Sequence, residues 1–162
     1  MRERTLTEWV VLGLLAEAPT HGFALARLLD RGGEVGRVWS ATRPLTYRAI
    51  EQLEADGLVT PVRTEAGAGP RRTVHRPTSA GRRALRRWLT APVSHFRDVR
   101  AELLVKLLLL ERRGLPTDAL LAAQRATFAP LLASVRAAPV LDSVTRWRRA
   151  QAEAVASFLE TP

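Results

Sequence analysis

Apolar positions recur at helical spacing through most of the chain and turn to strand-like runs only once. Leu6, Trp9, Val10, Leu12, Gly13 and Leu14 follow Thr5, a residue suited to cap a helix, and the run stops before Pro19. A second helix, capped by Thr20, carries Phe23, Leu25, Leu28 and Leu29 and is stopped by Gly32-Gly33. The linking segment with Val38 and Trp39 reads as one extended stretch. A third helix begins near Thr42 with Pro44 in its first turn, where a missing N–H costs little. It carries Ala49, Ile50 and Leu53 and ends at Asp56-Gly57.

Two β-like runs follow. Leu58 to Arg63 is short and β-branched, and Arg72 to Arg76 answers it across a Gly- and Pro-bearing loop from Thr64 to Pro70. Pro61 and Pro77 place these strands at a sheet edge or end, because proline donates nothing to a ladder. Thr78 caps a fourth helix that reaches Leu89. Helix–helix–helix–hairpin–helix is the order of a winged helix-turn-helix. Its third helix is narrow enough for a major groove, and its hairpin reaches the neighbouring phosphates.

From Ala91-Pro92 the character changes. Arg97 to Arg113 is apolar on most sides, as a helix packed all round or at an oligomer contact would be. Pro116 to Arg136 is a further helix, which Pro130 should kink or split. Asp142 caps a last one, with Val144, Trp147, Val155, Phe158 and Leu159 as its apolar positions. The expected fold is mainly α with a small β-hairpin wing. Residues 1–90 form a winged helix-turn-helix domain, and residues 91–162 form an α-helical dimerisation domain.

Composition narrows the chemistry. With 46% apolar and 25% charged residues, the 162-residue chain is too apolar for disorder. There is no cysteine, which excludes disulfides, thiolate metal sites and cysteine nucleophiles and fits a reducing interior. Glu8 interrupts the N-terminal apolar run, and the stretch Leu103–Leu110 contains Lys106 and is too short for a membrane span of about 20 residues. A soluble, cytoplasmic protein is expected. His21, His75 and His95 lack metal-ligand spacing, and no nucleophile elbow or P-loop is present. No catalysis, cofactor or metal is therefore expected, and His21 reads as a buried or capping residue at a helix start.

Charge adds a partner. Twenty-five basic against 16 acidic residues give a net +9, and every basic residue except Lys106 is arginine. Between Arg63 and Arg87, eight arginines face one acid, Glu65, and such a patch attracts polyanions.

The run His21-Gly22-Phe23-Ala24-Leu25 resembles the HGY-type opening of the second helix in the PadR family of bacterial transcriptional repressors. Trp39-Ser40 and Leu45 to Val59, with Tyr47 and the terminal Glu54-Ala55-Asp56-Gly57-Leu58, resemble that family's recognition helix. Thr78-Ser79-Ala80-Gly81-Arg82 is similar to the T-x-x-G-R after its wing. The resemblance covers most of the first 90 residues, and the helical extension is similar to that of the family's longer members. It implies a repressor, with some members sensing phenolic or multidrug-like aromatic compounds. The chain departs from the family at Thr42-Arg43-Pro44-Leu45, usually small and polar, and at Val74-His75-Arg76-Pro77, usually aromatic.

On a helical wheel, Thr46, Ala49, Ile50 and Leu53 share one side of the third helix. Arg48 and Gln52 then face outward toward base edges, where arginine matches guanine and glutamine matches adenine. Arg43 and Tyr47 are placed for phosphates or edges. At the wing, Arg63, Arg71, Arg72, His75 and Arg76 are candidates for phosphates, whereas Arg82, Arg83, Arg86 and Arg87 read as a wet helix face opposite Leu85, Trp88 and Leu89. Trp9, Trp88, Trp147 and Phe158 read as core rather than as walls of a ligand cavity. The expected function is a homodimeric, sequence-specific repressor on double-stranded DNA that occludes a promoter and is released by a small aromatic effector. A winged-helix protein-interaction module and a small-molecule-binding protein without DNA affinity are the alternatives.

Overall fold

The computed structural model describes residues 3–65 and 71–160. Helix α1 (Leu6–Glu17) is followed by a two-residue strand β1 (Thr20–His21), α2 (Gly22–Leu29), α3 (Arg43–Ala55), β2 (Val59–Glu65), β3 (Arg72–Pro77) and α4 (Ser79–Thr90). A short α5 (Phe96–Asp98) leads through a π-helical stretch, Val99–Leu103, into α6 (Leu104–Arg112), then α7 (Asp118–Ala137) and α8 (Ser143–Glu160). The fold is mostly helical with one small antiparallel sheet, the winged arrangement that the sequence pattern predicts. No helix among the described residues is long and apolar enough to cross a membrane.

Local chemistry sets several boundaries. The Thr5 hydroxyl accepts the Glu8 amide, and the Thr78 hydroxyl accepts the Gly81 amide, so each satisfies a free donor of a first helical turn. Gly57 takes φ +68, and the amide of Leu58 closes back onto the carbonyl of Leu53, ending α3 where glycine is the residue best suited to that conformation. Asp142 receives the Thr145 amide at 2.8 Å, which opens α8. These hydrogen bonds, the backbone one first, hold its carboxyl below the ordinary aspartate value. Pro130 lies inside α7, which continues as one helix through it.

Three expectations change. Thr20 does not cap α2: it lies in β1, paired with His75 of β3, and the cap is His21, whose Nδ1 accepts the Ala24 amide at 3.1 Å. The sheet thus has three strands in the order β1–β3–β2, with β3 in the middle. Val38 and Trp39 are not extended. The segment after α2 folds into turns that carry Val35 into the core, and Trp39 donates its indole N–H to Thr7 at 3.1 Å. Gly36 permits this, since a Cβ there would lie 1.6 Å from the Asp30 carbonyl oxygen. Trp147 and Phe158 are not core residues but stand 65% and 41% exposed on α8, because that helix turns Ala152, Val155, Ala156 and Leu159 inward instead.

The two halves share one core. Leu12 and Leu15 of α1, Leu53 of α3 and Leu85 of α4 join Leu103, Leu109, Phe128 and Leu159 in a single buried cluster. Gly13 lets α1 approach α6 so closely that a Cβ would meet a Leu109 methyl carbon at 2.6 Å. Trp9 and Trp88 stack with centroids 5.1 Å apart and planes 4° from parallel. Lys106 is only 1% exposed, held by Glu102 at 2.7 Å and the Ala91 carbonyl at 2.8 Å, with its ammonium over the Trp88 ring. Buried Gln124 pairs its amide with both the N–H and the carbonyl of Val93. At the far end of α6, Arg112 grips Glu17 with two nitrogens and also reaches Glu34. The hydrogen bond with Glu17 is the main force holding its guanidinium protonated above its ordinary value, against the opposing effect of burial.

Gly81→Ala should be costly, because the added carbon would sit 2.0 Å from the Leu58 carbonyl oxygen, a backbone atom. We expect a loss of about 2 kcal/mol, seen as a fall of roughly 5 °C in Tm by thermal denaturation. Asp142→Ala should also lower Tm at neutral pH. A carboxyl with a depressed folded-state pKa contributes fully above its unfolded value and loses that contribution as pH falls through the folded one. The Tm difference between wild type and Asp142→Ala should therefore shrink as the pH drops below the ordinary aspartate range, and a gap that widens in acid would contradict the cap.

Candidate nucleic-acid interface

Helix α3 buries Thr46, Ala49, Ile50 and Leu53 and turns Arg43, Leu45, Tyr47 and Arg48 to solvent, in the register that its apolar spacing predicts. Gln52 is half-buried and donates to Asp56 Oδ1 at 3.1 Å. Thr42 caps the helix only with its backbone. Its side chain makes no cap bond, and its carbonyl takes both the amide and the hydroxyl of Thr46. Arg43 stands at the first helical position, where the helix dipole favours negative charge.

Strand β2 forms the outer edge of the wing, and Pro61 within it leaves a place in the ladder without a donor. The register shifts between Pro61 and Arg63, so Val62 is an extra residue and is exposed. Arg63 is partly spent on its own strand, with Nε and Nη2 donating to Glu65 Oε1 at 3.0 and 2.7 Å. Arg71, Arg72 and Arg76 are exposed. His75 is not: it is 8% exposed, with Nε2 3.6 Å from Glu54 Oε2 and Nδ1 without a partner among the described residues. The end of the expected hairpin loop, residues 66–70, lies outside the described residues.

Helix α3 and the wing meet at a residue that the sequence marks only as an apolar position of the second helix. Phe23, in the first turn of α2, has the Arg43 guanidinium carbon 5.0 Å from its ring centroid and that of Arg72 at 4.9 Å. Arg43 also lies 5.9 Å from the Tyr47 ring. Gly22 makes this convergence possible, since a Cβ there would come within 2.7 Å of the Tyr47 ring. The signal for Phe23 was an aromatic residue in a first helical turn directly after a glycine. Its partners could not be read, because they lie about 20 and 50 residues further along.

A cavity of about 460 Å³ opens between these elements, walled by Phe23, Arg43, Tyr47, Arg71, Arg72 and His75 among others. Its lining mixes these arginines and aromatic rings with the carboxylates of Glu51 and Glu54, so only its arginine side suits a phosphate. The outer side of α4 exposes Arg82, Arg83, Arg86 and Arg87, the first of which donates to the Pro77 carbonyl at 2.8 Å, while Trp88 packs inward. Among the described residues no three His, Asp or Glu side chains gather as metal ligands would.

The chain is similar to proteins of known sequence and structure. Over 94 residues, 58% of the chain, it is 31% identical to a probable transcriptional regulator of Mycobacterium tuberculosis; that match is 49% of the relative, so the chain spans about half the length of the curated relative it matches. Its fold is similar to that in the crystal structure of Bacillus subtilis PadR in complex with operator DNA, with a TM-score of 0.51 at 19% identity over 94% of this chain and 95% of that one. The crystal structure of the same protein in complex with p-coumaric acid gives a TM-score of 0.49 at 19% identity, over 96% of this chain and 95% of that one. Residues 11–87 match the family model described as the transcriptional regulator PadR-like family, a span that runs from within α1 into α4 and includes all of α3 and both long strands. Over that span, a little under half of the chain, it is similar to the PadR-like family of transcriptional regulators.

Proposed function

We propose that this protein is a sequence-specific DNA-binding repressor that acts as a homodimer, with residues 1–90 as the DNA-binding domain and residues 91–162 as the dimerisation domain. The observation that carries the reading is the outward face of α3, with Arg43, Tyr47 and Arg48 exposed beside the arginines of the wing. Arg48 and Gln52 read base edges, and Arg43 and Tyr47 meet phosphates or edges. Arg63, Arg71, Arg72 and Arg76 take phosphates. Arg63 does so by exchanging Glu65 for the DNA, and His75 reaches a phosphate only by giving up Glu54.

Two copies are needed for specificity, because one helix and one wing contact few bases. Pairing by a two-fold axis sets two recognition helices about 34 Å apart on a pseudo-palindromic site. Helix α8 supports such pairing. Beside its buried stripe it exposes Val144, Trp147 and Phe158, with Leu141 just before the helix 81% exposed. A second copy covering these side chains would take them out of water. Repression follows by occlusion of a promoter, and a small aromatic effector releases it by altering the angle between the two heads.

The first test is binding to the DNA upstream of its own gene and to a scrambled duplex across a salt series. We expect preference for the former and a steep negative log–log salt slope. Absence of binding at low salt would favour a protein-interaction module instead. Arg48→Ala should cost about 1–3 kcal/mol and relax preference at one base position. Arg71→Ala should weaken all sequences alike, and identical losses on cognate and scrambled DNA for both variants would refute this division of roles. Trp147→Glu should shift the protein from dimer to monomer by sedimentation and weaken binding to a two-half-site duplex more than to a single half-site.

A further inference from the structure

Two arginines from separate elements converge on one ring. Arg43 begins α3 and Arg72 begins β3, and each guanidinium lies about 5 Å from the Phe23 centroid. An arginine in a folded protein is commonly answered by a carboxylate. Among the described residues neither arginine has one within ion-pair distance, in contrast to Arg63 with Glu65, Arg112 with Glu17 and Arg136 with Glu153. The negative face of an aromatic ring can hold a guanidinium while leaving its N–H donors free. A carboxylate would consume those donors. Phe23 is itself fixed from behind: His21 caps its helix and pairs with Val74 of β3, while Gly22 packs on Tyr47 of α3.

We propose that Phe23 is a positioning residue for DNA binding, holding Arg43 of the recognition helix and Arg72 of the wing as a paired phosphate clamp. The ligand of the clamp is the phosphodiester backbone where it passes between α3 and the wing. Each guanidinium keeps its fork of donors for phosphate oxygens, and the ring fixes the span between the two forks before DNA arrives. Phe23 thus couples two contacts that would otherwise be independent: a recognition helix displaced from the wing loses both. The proposal rests on the DNA-binding reading above and deepens it.

The test is a set of variants measured by fluorescence anisotropy on a duplex enriched from random DNA by the wild-type protein. Phe23→Leu keeps an apolar side chain but removes the ring, whereas Phe23→Tyr keeps the ring. We expect Phe23→Leu to weaken binding about tenfold and Phe23→Tyr to stay within about twofold of wild type. Both should keep a Tm within about 3 °C of wild type. In a background of Arg43→Met with Arg72→Met, Phe23→Leu should have no further effect, a result that a purely structural role for the ring would not produce. Unchanged affinity in Phe23→Leu, or an equal loss in the arginine-free background, overturns the clamp while leaving DNA binding intact. Failure of the wild type to enrich any duplex overturns the DNA-binding reading, and the clamp with it.

Discussion

The carbonyl and backbone of Leu58 form the joint on which the N-terminal half depends. The carbonyl oxygen accepts the Thr78 amide at 2.9 Å and the Thr78 hydroxyl at 3.3 Å, and the Leu58 amide closes the end of α3 onto Leu53. Gly81 lies so close that even a methyl group would collide with that oxygen. One residue thus joins the end of the third helix, the start of the wing and the start of α4. Gly57, Thr78 and Gly81 are all part of the motifs by which the family resemblance was read, and here they act through backbone geometry rather than by touching a ligand. Their chemistry is that of a hinge pin: a left-handed turn, a threonine that bonds in two directions, and a glycine that admits close approach.

A second set of contacts fastens this head to the C-terminal helices. Trp9 and Trp88 stack across α1 and α4, and the Trp88 indole N–H donates to Glu102 at 3.1 Å. Glu102 in turn neutralises Lys106, so a fully buried ammonium is tolerated because a carboxylate, a carbonyl and an aromatic face surround it. Arg4 also lies against the Trp9 ring, 5.4 Å from its centroid, and pairs with Asp56 at the end of α3. A continuous series of contacts therefore runs from α3 to α6. Arg112, clasping Glu17 and Glu34, fastens the opposite end of α6 to α1 and to the turns before α3. The head and the helical extension are packed against each other through α1, which contributes to both.

Charge is arranged differently at the two ends of the molecule. In the C-terminal half arginines are largely answered from within: Arg136 is held by Glu153 through two nitrogens, and Arg149 donates to the carbonyl of Arg136. Around α3 and the wing Arg63 is answered by Glu65, but its neighbours are not. Arg43 and Arg72 meet a ring instead of a carboxylate, and the α4 arginines face water. The basic residues are densest between Arg63 and Arg87, across the wing and α4. The most exposed large apolar side chains, Leu141, Trp147 and Val144, lie at α8.

Much of the fold was legible because it is written in short-range chemistry. Thr5 and Thr78 before apolar runs, Pro44 in a first turn, Gly57 after a last one and Asp142 before α8 each act on neighbours a few residues away, so a linear reading finds them. The outward face of α3 was legible for the same reason, being a consequence of helical period and of which side is apolar. The rest depended on what lies across from a residue in space. Thr20 joins a strand because β3 passes beside it, and Lys106 is buried because Glu102 and Trp88 close over it. Trp147 is exposed because α8 packs its alanines inward. Phe23 acquires two arginines only when the wing folds back over α2. By itself the sequence determined where helices begin and end and which faces are apolar, since those depend on local backbone chemistry and period. Which side chains meet was decided by the tertiary structure, because burial and pairing belong to surfaces that the chain brings together from distant positions.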